Sequence, residues 1–142
     1  KNIKSSIARC YTFVGKFIPL NSNFVIGNII SSILNKKTIV LKNSKKVVRS
    51  YMHTDELSKS LINILYKSNK NCLTCNVGSL DKVIIKKLSY KLSKKYGVNL
   101  QTLKYKSNHE DIYLPSRLKK IPIISAKMKS YESIVKTINE LL

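Results

Sequence analysis

The sequence predicts an α/β fold for this 142-residue chain. Short apolar, β-rich runs alternate with segments whose apolar residues recur at helical spacing, and that alternation is what α/β packing requires. Glycine closes two of the runs, at Gly15 and Gly78, and stops a helical segment at Gly97. No repeat and no low-complexity linker divides the chain. Its length suits one domain with a core of useful size.

Residues 7–13 read as a short buried strand, apolar and bounded by Ser5, Ser6 and Gly15. Residues 19–23 form a loop in which Asn23 is suited to cap a helix. Phe24, Ile26, Ile29, Ile30, Ile33 and Leu34 then mark a helix ending near Asn35. Residues 38–41 are β-rich, residues 43–46 a polar turn, and Val47 and Val48 resume extended structure to Met52. Thr54 or Asp55 is expected to cap a second helix with Leu57, Leu61, Ile62, Ile64 and Leu65 on its apolar face. Residues 73–77 are another strand. Ile84, Ile85, Leu88, Leu92 and Tyr96 mark a third helix, stopped by Gly97. The polar stretch up to Glu110 has no assignment. Ile134, Val135, Ile138, Leu141 and Leu142 predict a final helix.

Composition excludes several classes of protein. A hydrophobic content of 43% argues against wholesale disorder. The longest apolar run, residues 26–34, is interrupted by Gly27, Asn28, Ser31 and Ser32, far short of the roughly 20 residues that span a bilayer. No membrane association is expected. The first residues show no signal-peptide cleavage pattern. An odd number of cysteines, three, points to reduced thiols and a cytoplasmic setting. Cys72-x-x-Cys75 is half of a zinc pattern with no second pair, so no metal site is expected.

The formal net charge of +20 raises nucleic-acid binding as a function. Only Arg9, Arg49 and Arg117 among the 27 basic residues are arginines, and base and phosphate recognition favours the arginine fork. The lysines are spread over every segment in company with Asn and Ile, as a low-GC codon bias would spread them. No specific nucleic acid is therefore expected. A basic, non-enzymatic protein binding nucleic acid or an acidic partner is the alternative reading.

Two segments carry a family resemblance. Arg9-Cys10-Tyr11-Thr12-Phe13-Val14-Gly15 is similar to an Arg-Tyr-Phe-Asn-x-Tyr-Gly-Pro segment, with Lys16 in place of the proline. Arg49-Ser50-Tyr51-Met52-His53-Thr54-Asp55-Glu56-Leu57 resembles an Arg-x-aromatic-x-His/Tyr-x-x-acidic-Leu turn. Asn76-Val77-Gly78-Ser79 and Tyr113-Leu114-Pro115 resemble two later segments of the same family. That family is the NAD-dependent epimerase/dehydratase group of extended short-chain dehydrogenases/reductases, which remodel nucleotide sugars. The resemblance runs from Ile7 to the C-terminus. No Gly-rich phosphate-cradling turn occurs, and the chain begins with Lys1. It therefore looks like the C-terminal portion of such a Rossmann-like enzyme, without the N-terminal dinucleotide-binding half.

The resemblance implies one nucleotide-sugar-binding portion over residues 1–142, with 7–13 a late strand of the dinucleotide sheet. It implies NAD as cofactor of the complete enzyme and a nucleotide-diphosphate sugar as ligand, and it allows a homodimer of the complete enzyme. Tyr11 would lie near the nicotinamide. Thr12 stands where an Asn faces the diphosphate, and Asn23 matches an Asn at a helix entrance, where unpaired amides favour anions. Val40, Leu41 and Lys42 would lie along the base. Arg49 would reach ribose and diphosphate, a task for its fixed donor fork; a salt bridge to Asp55 or Glu56 is the plainer role. Lys106 stands about where some relatives place a diphosphate-binding Arg, and Tyr113 would line the distal end. Two Tyr-x-x-x-Lys matches, Tyr66 to Lys70 and Tyr90 to Lys94, have the spacing by which a cation lowers a phenol's pKa. In the family that pair precedes the strand which 7–13 resembles, so no catalytic residue is expected here.

Overall fold

The computed structural model describes residues 3–20, 24–42, 45–104, 109–116 and 121–142. It is mixed α/β, as expected. The strands are β1 (Ser6–Cys10), β2 (Phe13–Val14), β3 (Ile39–Leu41), β4 (Lys46–Ser50), β5 (Met52–His53), β6 (Leu73–Gly78), β7 (Lys82–Ile84), β8 (Leu100–Thr102), β9 (Glu110–Ile112) and β10 (Ile123–Ser125). The helices are α1 (Val25–Leu34), α2 (Thr54–Tyr66), α3 (Ile85–Tyr96) and α4 (Ser130–Leu141).

The principal sheet is parallel, in the order β1-β6-β10, with Ala8 beside Cys75 and Ile124 beside Val77. Helix α2 covers it through Leu57 and Ile64, which meet Met52, Cys75 and Val77 in one hydrophobic cluster. Parallel pairs β2-β5 and β3-β8 and the mixed sheet β7-β4-β9 build the other layer. There the larger core gathers Ile29, Ile30 and Ile33 of α1, Leu88 and Leu92 of α3, and Ile134 and Ile138 of α4.

The predicted strand 7–13 is broken in two. At Tyr11 and Thr12 the chain leaves one sheet for another: Tyr11 N–H donates to Val77 O at 2.9 Å, while Met52 N–H donates to Thr12 O at 3.2 Å. The Thr12 hydroxyl donates to Ser50 O and adds a side-chain tie at the crossing. Extended structure over 47–52 likewise divides at Tyr51, whose N–H donates to Ser130 Oγ at 2.8 Å.

Capping differs from the sequence expectation at two helices. Phe24 is the N-cap of α1, in place of Asn23, and makes no side-chain capping bond. His53 caps α2, its Nδ1 accepting the Asp55 N–H at 3.2 Å, in place of Thr54 or Asp55. The apolar face of α2 is also narrower than its periodicity suggests: Leu61, Ile62 and Leu65 are exposed. Gly97 does end α3, at φ 66°, a left-handed conformation that costs glycine little. Gly27 lets α1 approach the chain closely, since a Cβ there would lie 2.6 Å from Pro19 O.

Strand β1 lies at an end of its sheet, where Ile7 is half-exposed, and Ile3 shortly before it is exposed. Unpaired, apolar strand edges template association. The 142-residue chain alone should therefore self-associate, and Ile7→Lys should suppress this with little change in melting temperature. Light scattering at increasing concentration tests it; a monodisperse parent chain would count against an unsatisfied edge.

Candidate functional site

Between the β2 and β5 region, α1, β3, β4 and the N-terminus of α3 lies a cleft of about 940 Å³. The structure brings seven of the nine singled-out residues to it. Tyr11 and Thr12 come from the crossing between sheets, Val40, Leu41 and Lys42 from β3 and its end, Arg49 from β4, and Tyr113 from the segment after β9. Asn23 and Lys106 lie outside the described residues.

Alternation puts these side chains where they are. On β3, Ile39 and Leu41 are buried and Val40 is exposed, so the strand presents both an anchored and a free face to the cleft rim. On β4, Val48 and Ser50 are buried, leaving Arg49 between them. The Arg49 side chain is only 19% exposed and is held firmly: Nη1 donates to Val48 O and Asp111 O, and Nη2 to Asp111 Oδ2, each at 2.9 Å. Its ion-pair partner is thus Asp111, and not Asp55 or Glu56. Asp55 pairs with Lys136, and Glu56 accepts the N–H groups of Lys127 and Met128. Among the described residues these bonds leave the guanidinium's Nε–H and one Nη2–H without an acceptor.

Asp111 was not legible as a site residue, since a three-residue strand carries no periodicity. Its hydrogen bond from Arg49, reinforced by the positive charges of Arg49 and Lys45, holds its carboxyl below the ordinary carboxylate value. A depressed native value means stabilisation that is present above the unfolded value, about 3.9, and lost as pH falls through the native one. An NMR titration should place the Asp111 midpoint below 3.9, and Arg49→Gln should return it toward that value. An unshifted midpoint in the parent protein would show the ion pair to be absent in solution.

Apolar groups dominate the remaining walls. All three phenylalanines of the chain, Phe13, Phe17 and Phe24, line this one cleft. Tyr11 and Tyr113 meet with ring centroids 5.2 Å apart and planes tilted by 34°. Tyr51, 2% exposed, forms the floor, and burial pushes its phenol well above the usual tyrosine range, so it stays protonated at neutral pH. Ile85 and Lys86 bring in the first turn of α3. Neither α1 nor α3, whose first turns both line the cleft, has a side-chain hydrogen bond at its N-cap.

Neither Tyr-x-x-x-Lys match takes part. Tyr66 is 86% exposed, and Tyr90 stands on the outer face of α3 with Lys94 Nζ 5.6 Å from its ring centroid. Cys75 is a buried strand residue, and no cysteine joins a group of three or more metal-type donors among the described residues. His53, Asp55 and Glu140 do form such a group. Its chemistry is already taken up: Lys136 places an ammonium on Asp55 and 3.6 Å from Glu140, and the capping bond requires an unprotonated Nδ1. His53 Nε2 lies 3.4 Å from Glu140 Oε2.

The glycines answer the question of a dinucleotide. A Cβ at Gly15 would strike the Thr54 side chain, one at Gly27 would strike Pro19, and one at Gly78 would strike Pro115 and Tyr11. Gly97 ends a helix. Each glycine serves this chain's own packing or capping, and none forms a cradle for a pyrophosphate. A Gly-rich turn against a pyrophosphate is therefore not among what these four glycines build. Among the described residues, no helix is long and apolar enough to cross a membrane.

No family model matches the sequence, and no curated protein does. Solved structures do match. UDP-glucuronic acid 4-epimerase from Bacillus cereus, solved with UDP-glucuronic acid and NAD, superposes with a TM-score of 0.73 at 16% identity, over 98% of this chain and 45% of the epimerase. A UDP-N-acetylglucosamine 4-epimerase from Methanobrevibacter ruminantium gives 0.72 at 20% identity, over 97% of this chain and 46% of the enzyme. A dTDP-glucose 4,6-dehydratase from Bacillus anthracis, solved with NAD, gives 0.72 at 14%, over 94% and 43%. The chain has the fold of part of an extended short-chain dehydrogenase/reductase, consistent with the C-terminal part. It spans about 45% of the length of the structures it matches.

Proposed function

We propose that this chain is the nucleotide-sugar-binding portion of an NAD-dependent epimerase or dehydratase, and that its cleft positions the sugar-nucleotide diphosphate. The observation that carries the reading is Arg49. A part-buried guanidinium, oriented by Asp111 and retaining two donors, stands in a largely apolar cleft that the first turns of α1 and α3 also line. Paired charge-assisted donors of a guanidinium suit phosphate oxygens.

In this reading Thr12, Asn23, Lys106 and Tyr113 complete the sugar-diphosphate end. Val40, Leu41 and Lys42 lie along the base, and Tyr11 borders the nicotinamide of a cofactor held by another part of the enzyme. NAD, when bound there, supplies hydride transfer to and from a sugar carbon. This chain's residues bind and orient the nucleotide, which contributes through positioning. Residues 1–142 act as one portion, with 7–13 contributing to the dinucleotide sheet, in a cytoplasmic enzyme.

Calorimetric titration of UDP, dTDP and inorganic pyrophosphate into the protein tests the reading. Both nucleotides should bind more tightly than pyrophosphate, since the base adds apolar contact in the cleft. If neither nucleotide binds, or pyrophosphate binds equally well, the cleft is not a nucleotide-diphosphate site.

A further inference from the structure

The seven carboxylates of a chain with formal net charge +20 are all engaged away from α3. Asp55, Glu110, Asp111 and Glu140 form ion pairs with Lys46, Arg49 or Lys136. Glu56, Asp81 and Glu132 accept backbone N–H groups near the start of α4. Helix α3, Ile85-Lys86-Lys87-Leu88-Ser89-Tyr90-Lys91-Leu92-Ser93-Lys94-Lys95-Tyr96, carries five lysines and no acid. No ion pair among the described residues involves Lys87, Lys91, Lys94 or Lys95.

Lys87, Tyr90, Lys91 and Lys94 fall at i, i+3, i+4 and i+7, so they form one stripe, and all four are exposed. Helix stability does not account for the stripe. Lys87 stands in the first turn, where the helix dipole favours negative charge, and no acid offsets it there. The apolar face, with Ile85, Leu88 and Leu92, is spent in the core, which leaves nothing to insert into a bilayer. Rings and ammonium groups interleave on the outside: Lys94 Nζ lies 5.6 Å from the Tyr90 ring centroid and Lys91 Nζ 5.9 Å from that of Tyr131.

We propose that this face of α3 binds single-stranded nucleic acid without sequence preference, as a second site independent of the cleft. The stripe is about 10 Å long, enough to follow a short stretch of single-strand backbone. Its lysines follow the backbone, and Tyr90 offers a ring on which a base stacks. The charge of the whole chain contributes a weak, diffuse attraction, and α3 concentrates it.

The test is anisotropy titration of a labelled oligothymidine with the protein across a salt series. Lys87→Glu, Lys91→Glu and Lys94→Glu together are compared with Lys37→Glu, Lys59→Glu and Lys67→Glu together, which change net charge equally at other exposed sites. The α3 variant should lose at least about tenfold more affinity than the control. Its slope of log K against log salt should flatten by about 2, at ~0.7 per lost contact on a single strand. Tyr90→Ala should weaken the single strand and spare a duplex. If charge reversal disturbs folding, seen as a lowered circular-dichroism melt, the corresponding Lys→Gln variants give the same comparison. Equal losses in the two triple variants would reduce the effect to net charge and overturn the proposal. So would duplex, polyglutamate or phosphatidylserine vesicles binding through α3 as tightly as the single strand.

Discussion

Arg49→Lys should weaken nucleoside-diphosphate binding by about 1–3 kcal/mol, the worth of a hydrogen bond to a charged group, despite preserving charge. The guanidinium serves two masters at once. It spends one donor pair on Val48 O and Asp111 O and another donor on the Asp111 carboxylate, and still has two to offer. An ammonium has three donors around one nitrogen and cannot span both tasks. The lysine would have to leave Asp111 or leave the phosphate. Calorimetry of UDP and dTDP against the parent and variant measures the loss. NAD affinity of the complete enzyme should change little, because this chain builds no dinucleotide cradle. Equal nucleotide binding by both proteins would make Arg49 a strand-pairing residue that joins β4 to β9 and nothing more.

Ile30→Ala should cost about 2–5 kcal/mol of unfolding free energy, the range for emptying a fully buried aliphatic side chain. Ile30 is completely buried in α1, within the cluster that also holds Leu92, Ile134 and Ile138. Three helices from distant parts of the sequence meet there, so no single element can move in to fill the space. Ile30→Val removes one methylene and should cost about 0.5–1.5 kcal/mol. Urea unfolding, with an unchanged slope, reads both. A cost below 1 kcal/mol for the alanine variant would mean that α1 is not packed between α3 and α4.

The sequence exposed those parts of the fold that repeat. Helix α1 follows its isoleucines, α3 stops where Gly97 permits a positive φ, and β3 and β6 fall where β-branched residues cluster. Strands β7, β8, β9 and β10 were not legible. Each is three residues long, too short for alternation to be distinguished from chance, and each exists because a partner strand supplies hydrogen bonds. On α2 the helical period was right and the buried face was not. Exposure of Leu61, Ile62 and Leu65 depends on what covers the helix, which spacing does not encode. The cleft was legible through its family-like segments, which named Tyr11, Thr12, Val40, Leu41, Lys42, Arg49 and Tyr113. Asp111, sixty-two residues from Arg49, was invisible for a simple reason: only the pairing of β4 with β9 brings the two together.

The parallel pairing of β1 with β6 has a topological consequence. A strand that continued this sheet in the same sense beyond β1 could not arrive by a hairpin; it would need a crossover of about a dozen residues or more. Such crossovers are right-handed in nearly all proteins. Helix α2, which touches both β1 and β6, already occupies the crossover position between them. Handedness then dictates the side: steps taken in one direction across a parallel sheet place their connections on the same face. A helix leading into β1 from that direction would settle next to α2, and the order of strands alone decides this, whatever its sequence.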